Sequence, residues 1–265
     1  MKKITLNSIK ILVVLYIILC GIMYFFQEKL IFFPEKLEQN YKFKYEDHFN
    51  ELSFKLSDGK LLNGLLFKVD NSKGLIFYLH GNAGSLSTWG YVAKRYTELN
   101  YDVFILDYRG FGKSEGIINS ETQLFEDNQL VFDELKKQYN EDKIIILGHS
   151  IGTGLASKLA SENNSKQLIL LSPYYNLTDM VRQKYSFIPT VLLKYKFATN
   201  EYLKECEMPI TIFHGNSDEV IPYESSLKLK KAFKVKINLI ELKGQNHNRI
   251  TDNVDYVKEL HQLLH

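Results

Sequence analysis

The sequence is poor in cysteine, in net charge and in repetition. Its only cysteines are Cys20, in an apolar N-terminal run, and Cys206 far downstream. No disulfide framework is expected from such a pair. Lys and Arg number 33 against 31 Asp and Glu, so the net charge is 33 − 31 = +2. The lysines are dispersed rather than striped, which argues against a nucleic-acid partner. No internal repeat and no low-complexity tract is present, and a solenoid is excluded with them. No His or Cys cluster has the spacing of metal ligands, so neither metal nor other cofactor is expected. Gly112-Lys113-Ser114 looks like the tail of a phosphate loop, but the position of the required first glycine is Asp107.

What is present suits one large α/β domain with an appendage: 265 residues, 45% of them apolar. The one long apolar run is N-terminal. Met1-Lys2-Lys3 and Lys10 precede an uncharged stretch from Ile11 to Phe26. Counted from Leu6, with Lys10 snorkelling to the interface, it reaches the roughly 17–25 residues that a span needs. Tyr24, Phe25 and Phe26 would form an interfacial belt. The far end lacks the small residues of a signal-peptide cleavage site. Residues 1–26 are therefore expected to be an uncleaved single-pass anchor. Its basic flank puts the amino end in the cytoplasm and the rest of the chain outside.

Residues 27–49 read as a connecting segment, and 50–265 as the α/β domain. Glu51 to Leu56 and Leu61 to Val69 flank the turn signal Asp58-Gly59 and read as an antiparallel pair. Apolar strands follow at 74–79, 102–106, 143–147, 167–171, 209–213 and 235–242. Helical patterns lie between them near 88–100, 121–139, 153–160, 224–233 and 253–264. The alternation predicts a mostly parallel, eight-stranded sheet with helices on both faces. Ligand chemistry on such a sheet sits at the carboxyl ends of its strands.

One turn there carries the chemistry. Gly148-His149-Ser150-Ile151-Gly152 follows the apolar run Lys143 to Leu147 and precedes a helix, the context of a nucleophile elbow. Ser150 needs a base. Of the seven histidines, His247 lies in the loop after the last strand, on the same rim. His80 and His214 precede glycines at strand ends and read as structural. His149 should point away from the serine by strand alternation, and His48, His261 and His265 should face solvent. The acid is expected between serine and histidine in the chain. Asp218, after the penultimate strand, is the choice, with Glu219 and Asp179 as weaker alternatives. The N–H of Ile151 and that of Asn82, or else of Ala83, should bind a developing oxyanion. Asp107 and Arg109 read as braces of their loop.

His80-Gly81-Asn82-Ala83-Gly84, Asp107 to Ser114, Gly148 to Gly152, His214 to Pro222, and His247 together resemble the α/β-hydrolase superfamily. The nearest likeness is to its membrane-anchored branch, close to lysophospholipase-like and serine-aminopeptidase-like members. Gln27 to Pro34 is similar to that branch too. Thr153 departs from the second glycine often found there. The resemblance implies a small cap at about 172–208 and a serine hydrolase acting on an ester or thioester, its substrate a small-molecule or lipid acyl compound. A peptidase of the same fold, or a catalytically silent binding module, are the other readings. The aromatic and aliphatic cap residues from Tyr174 to Phe197 either line an acyl pocket or cover the sheet.

Overall fold

The computed structural model describes residues 2–265; Met1, first residue of the basic flank, lies outside them. Helix α1 (Lys2–Phe25) contains one apolar stretch, Leu6–Phe25, of 20 residues with mean hydropathy 2.3 and none of it buried. A short helix α2 (Gln27–Ile31) follows directly.

The domain is built on a sheet of eight strands: β1 (Phe49–Lys55), β2 (Leu61–Phe67), β3 (Leu75–Leu79), β4 (Asp102–Leu106), β5 (Ile144–His149), β6 (Gln167–Leu171), β7 (Ile210–Gly215) and β8 (Ile237–Leu242). Their spatial order is β1-β2-β4-β3-β5-β6-β7-β8. Only β1–β2 and β2–β4 pair antiparallel; the other pairs are parallel. The central strands β3, β4, β5 and β6 are buried along their whole length. Apolar residues on both faces make these strands stable only inside a three-layer stack. One core packs Phe77, Phe104, Ile146, Leu155 and Leu170 on one side, and another packs Tyr78, Ile105, Leu147, Ile169 and Tyr256 on the other.

The helices are α3 (Leu86–Trp89), α4 (Lys94–Thr97), α5 (Glu121–Leu135), α6 (Gly152–Ser161), α7 (Leu177–Lys184), α8 (Thr199–Glu205), α9 (Glu224–Ala232) and α10 (Val254–Leu264). Ser120, Asn176 and Asn253 cap the first turns of α5, α7 and α10 with their side chains. The pattern near 88–100 forms α3 and α4 with a 3-10 turn, Gly90–Ala93, between them. Tyr45 packs on Gly90 and donates its hydroxyl to the Leu86 carbonyl there. The pattern through Tyr139 ends as helix at Leu135.

Candidate active site

The elbow begins with strain. Ser150 sits between β5 and α6 with φ +54°, in the left-handed region that a side chain occupies at a cost. Its N–H donates to the Leu171 carbonyl at 2.9 Å and holds the turn against β6. The flanking glycines are demanded by contact. A β-carbon on Gly152 would strike the carbonyls of Leu79 and His80, and one on Gly148 would meet Ala156 at 2.7 Å. The chain therefore turns where α6 presses directly on β3.

The structure brings Ser150, His247 and Asp218 together. His247 Nε2 lies 3.0 Å from Ser150 Oγ, and its Nδ1 lies 2.7 Å from Asp218 Oδ2. The Asp218 carboxylate is fully enclosed. Oδ1 accepts the N–H groups of Val220 and Ile221 at 2.9 and 2.8 Å, and Oδ2 lies 3.3 Å from His214 Nε2. Burial alone would raise this carboxyl, but the contacts from His214 and His247 outweigh it and hold it well below the usual carboxylate range. A carboxylate kept ionised in this way beside Nδ1 keeps the proton on that nitrogen and leaves Nε2 as an acceptor. Of the alternatives, Glu219 is exposed and Asp179 pairs with Lys228 at 2.7 Å.

The histidine loop is pinned from both sides. Gln245 donates its side-chain amide to the Asn248 carbonyl and accepts from Asn253, while Ser217 N–H donates to the Gln245 carbonyl. His214 is buried on Ser226 and the Ile221 carbonyl, bracing the loop that carries Asp218.

The loop after β3 passes beside the serine: a β-carbon on Gly81 would lie 3.8 Å from Ser150 Cβ. The N–H groups of Asn82 and Ile151 donate no hydrogen bond among the described residues. An oxyanion hole requires two donors left free in this way. Asp107 braces this loop by accepting the Leu86 N–H, and Arg109 clasps Asp127 through Nε and Nη2 at 2.6 and 2.9 Å and reaches Asp58 through Nη1.

His149 has a neighbour that strand alternation does not predict. Its ring is buried and faces His247, the two centroids 5.9 Å apart and nearly parallel, with Trp89 edge-on at 5.3 Å. Burial pushes this imidazole down to about 3, and the neighbouring His247 adds to the shift. A neutral ring thus backs the imidazole of His247. Its place inside the elbow was the signal; strand alternation gave the face but not the neighbour. The cap residues divide: Tyr174, Tyr195 and Phe197 are buried in the core, whereas Tyr185, Phe187 and Val191 are exposed. Among the described residues, no group of three His, Cys, Asp or Glu is placed to hold a metal ion.

The strand order, the strained elbow and the loop order serine, aspartate, histidine define an α/β-hydrolase. A family described as "Serine aminopeptidase, S33" matches residues 70–199. The lysophosphatidylserine lipase ABHD12 of Macaca fascicularis is 33% identical over 180 residues, 60% of this chain and 45% of that protein. The uncharacterized protein YfhR of Escherichia coli K12 is 28% identical over 209 residues, 74% of this chain and 72% of that one. The chain thus spans about half the length of the lipases it matches. In fold it is similar to the Pyrococcus furiosus esterase Pf2001, with TM-score 0.71, 19% identity and coverage of 88% of this chain and 96% of that one. Est1E of Butyrivibrio proteoclasticus, solved with ferulic acid, superposes with TM-score 0.62 at 23% identity over 80% of this chain and 98% of that one. The chain thus has the α/β-hydrolase fold, and its similarity to the S33 family and to the lipases supports the lysophospholipase-like branch.

Proposed function

We propose that this protein is a serine hydrolase that cleaves a carboxylic ester or thioester of a lipid-derived acyl group while anchored in a membrane by α1. Ser150 Oγ attacks the acyl carbon as His247 Nε2 takes its proton. Asp218 holds the imidazole and stabilises the charge that forms on it. The N–H groups of Asn82 and Ile151 receive the oxyanion. His247 then protonates the leaving oxygen or sulfur, and water repeats the sequence on the acyl-enzyme.

The observation that carries this reading is the unbroken chain from Asp218 through His247 to Ser150, at 2.7 and 3.0 Å. The lipid character rests on placement. A cavity of about 490 Å³ lies between the foot of α1 and the loop after β4, with an apolar wall of Phe25, Phe26, Phe32, Phe111 and Ile117 and charged groups, Lys29, Lys194 and Arg109 among them, on the remainder. Phe111 in turn packs on His80, at the root of the loop beside Ser150. Similarity to a lysophosphatidylserine lipase points the same way.

A fluorophosphonate probe tests the assignment: it labels the wild type, and Ser150→Ala removes the label. Equal labelling of both proteins rejects it. The family description favours a second reading, a peptidase. Side-by-side turnover of acyl esters, acyl thioesters and aminopeptide substrates separates the two. Residues 1–26 as the anchor, with the amino end cytoplasmic and the domain outside, is part of the proposal. Protease protection in sealed vesicles checks its orientation.

A further inference from the structure

The cap does not stand clear of the anchor. The Tyr16 hydroxyl, midway along the apolar stretch of α1, donates to the Phe187 carbonyl at 2.7 Å. Tyr16 lies nine residues before Phe25, about 13 Å along the helix axis, and one leaflet of hydrocarbon is about 15 Å deep. The cap therefore descends beside the helix to a depth within one leaflet. Further contacts lock it there. Gln27 donates to the Leu192 carbonyl and accepts from Lys194 N–H, and Lys194 pairs with Glu28 at 3.2 Å while lying over the Tyr24 ring.

The composition of this segment fits that depth. Tyr185 to Leu193 contains no charged residue and is bounded by Lys184 and Lys194. Phe187 is 57% exposed and Val191 88% exposed, and Phe25 at the end of α1 is exposed at 71%. In water these side chains would be an unexplained apolar patch; in a leaflet they are solvated. The backbone is paired in part. The N–H groups of Ile188, Leu192 and Leu193 close on the carbonyls of Tyr185, Pro189 and Thr190, Pro189 has none to pair, and the carbonyls of Phe187 and Leu192 are taken by Tyr16 and Gln27; the N–H groups of Ser186, Phe187, Thr190 and Val191 have no partner among the described residues and would take headgroup oxygens or water. The Tyr16 hydroxyl, a polar group on a lipid-facing helix, finds its own partner in the same bond.

We infer that the tip of the cap, Tyr185 to Leu193, is a second membrane-seated element, lodged in the leaflet where α1 leaves the bilayer, with Lys184 and Lys194 at headgroup level. This rests on the reading of α1 as an anchor. It places the cap in the phase from which a lipid-derived acyl substrate is drawn.

The test uses the full chain, with Cys20→Ala, reconstituted in phosphatidylcholine vesicles. An environment-sensitive fluorophore is attached at Val191→Cys, at Ile17→Cys in α1, or at Val235→Cys, fully exposed in the turn before β8. Lipids carrying a nitroxide near the headgroup or near the chain end quench it according to depth. The expected result is severalfold stronger quenching at positions 191 and 17 than at 235. Strong quenching at 17 with quenching at 191 no greater than at 235 overturns the cap insertion and leaves the anchor standing. Weak quenching at all three positions overturns both.

Discussion

The side-chain amide of Asn82 donates to the Ile31 carbonyl at 3.0 Å, and Phe33 N–H donates back to the Asn82 carbonyl at 2.8 Å. The segment that leaves α1 is thereby fastened to the loop proposed to receive the oxyanion. A two-residue parallel ladder, Phe33–Pro34 on Ala83–Gly84, extends the attachment, and Ser85 donates to Glu35 at 2.7 Å. The segment that follows α1 is thus tied to the loop beside Ser150, and the position of that loop is held by residues about fifty positions away.

Asn82→Ala keeps the backbone N–H but frees the loop from Ile31. Donors misplaced by a fraction of an ångström stabilise the transition state less while still admitting substrate. The expected outcome is a fall in kcat on the order of tenfold to a hundredfold with little change in KM. Removal of residues 1–37 should cost far more activity than removal of 1–26, because only the longer cut takes away Ile31, Phe33 and Glu35. Steady-state kinetics on a soluble short-chain ester checks both, since such a substrate does not depend on the membrane.

The neutral state of His149 gives the fold a pH dependence of known sign. Its pKa falls from an ordinary 6.5 to about 3, through burial first and the nearby His247 second. Between those values the unfolded chain binds the proton and the folded chain does not, so stability is full above about 6.5 and is lost as pH falls. Near pH 5 the loss from this group is about 2 kcal/mol. Asp218, depressed instead below the carboxylate range, contributes its loss only at more acidic pH. Thermal unfolding of wild type and His149→Phe from pH 7 down to pH 5 should show a shallower decline for the variant. Parallel declines would mean the ring is protonated in the folded state.

How far the residues announced this arrangement depends on the range of the cause. Ser150 was legible because strand, glycine-flanked turn and helix are consecutive, and a buried parallel strand admits few other readings. The eight strands and their alternation with helices were legible for the same local reason. Asp218 and His247 needed only the position of their loops after particular strands. The stacking of His149 on His247 was not legible. Alternation along β5 assigns a face, but the loop after β8 decides what lies against it. The Asn82–Ile31 bond and the Tyr16–Phe187 bond leave no periodic trace, since each joins segments brought together only by the finished fold. The break between α3 and α4 lies at Gly90, where Tyr45 packs from outside the helical pattern.

The closeness of α6 to β3 makes Gly152 the least replaceable residue of the elbow. A β-carbon there meets two backbone carbonyls, Leu79 and His80, which have no rotamer to yield. Gly152→Ala must push α6 outward or flatten the turn at Ser150. Overpacking of this kind costs about 1–3 kcal/mol. The expected variant is folded but less stable in urea titration, and its labelling by a fluorophosphonate is slower than that of the wild type at equal protein. Gly154→Ala is a useful comparison: its β-carbon meets the Tyr174 hydroxyl, a side-chain atom rather than backbone, and threatens that hydroxyl's bond to the Ile151 carbonyl.

The last prediction concerns the direction of one proton. In Asp218→Asn the side-chain oxygen still accepts the N–H groups of Val220 and Ile221, so the loop keeps its shape. The new amide nitrogen then faces His247 Nδ1, where the carboxylate stood at 2.7 Å. Two donors cannot share that contact, so the imidazole moves its proton to Nε2. That nitrogen now points a hydrogen at Ser150 Oγ and has no lone pair with which to take the serine proton. The expected loss in kcat is on the order of 10⁴, the size seen when a triad histidine is held in the wrong tautomer. Thermal stability should change far less than activity. If Asp218→Asn instead retains wild-type turnover, the acid lies elsewhere. Neither remaining candidate then suits the role without rearrangement, because Asp179 is engaged by Lys228 and Glu219 faces solvent.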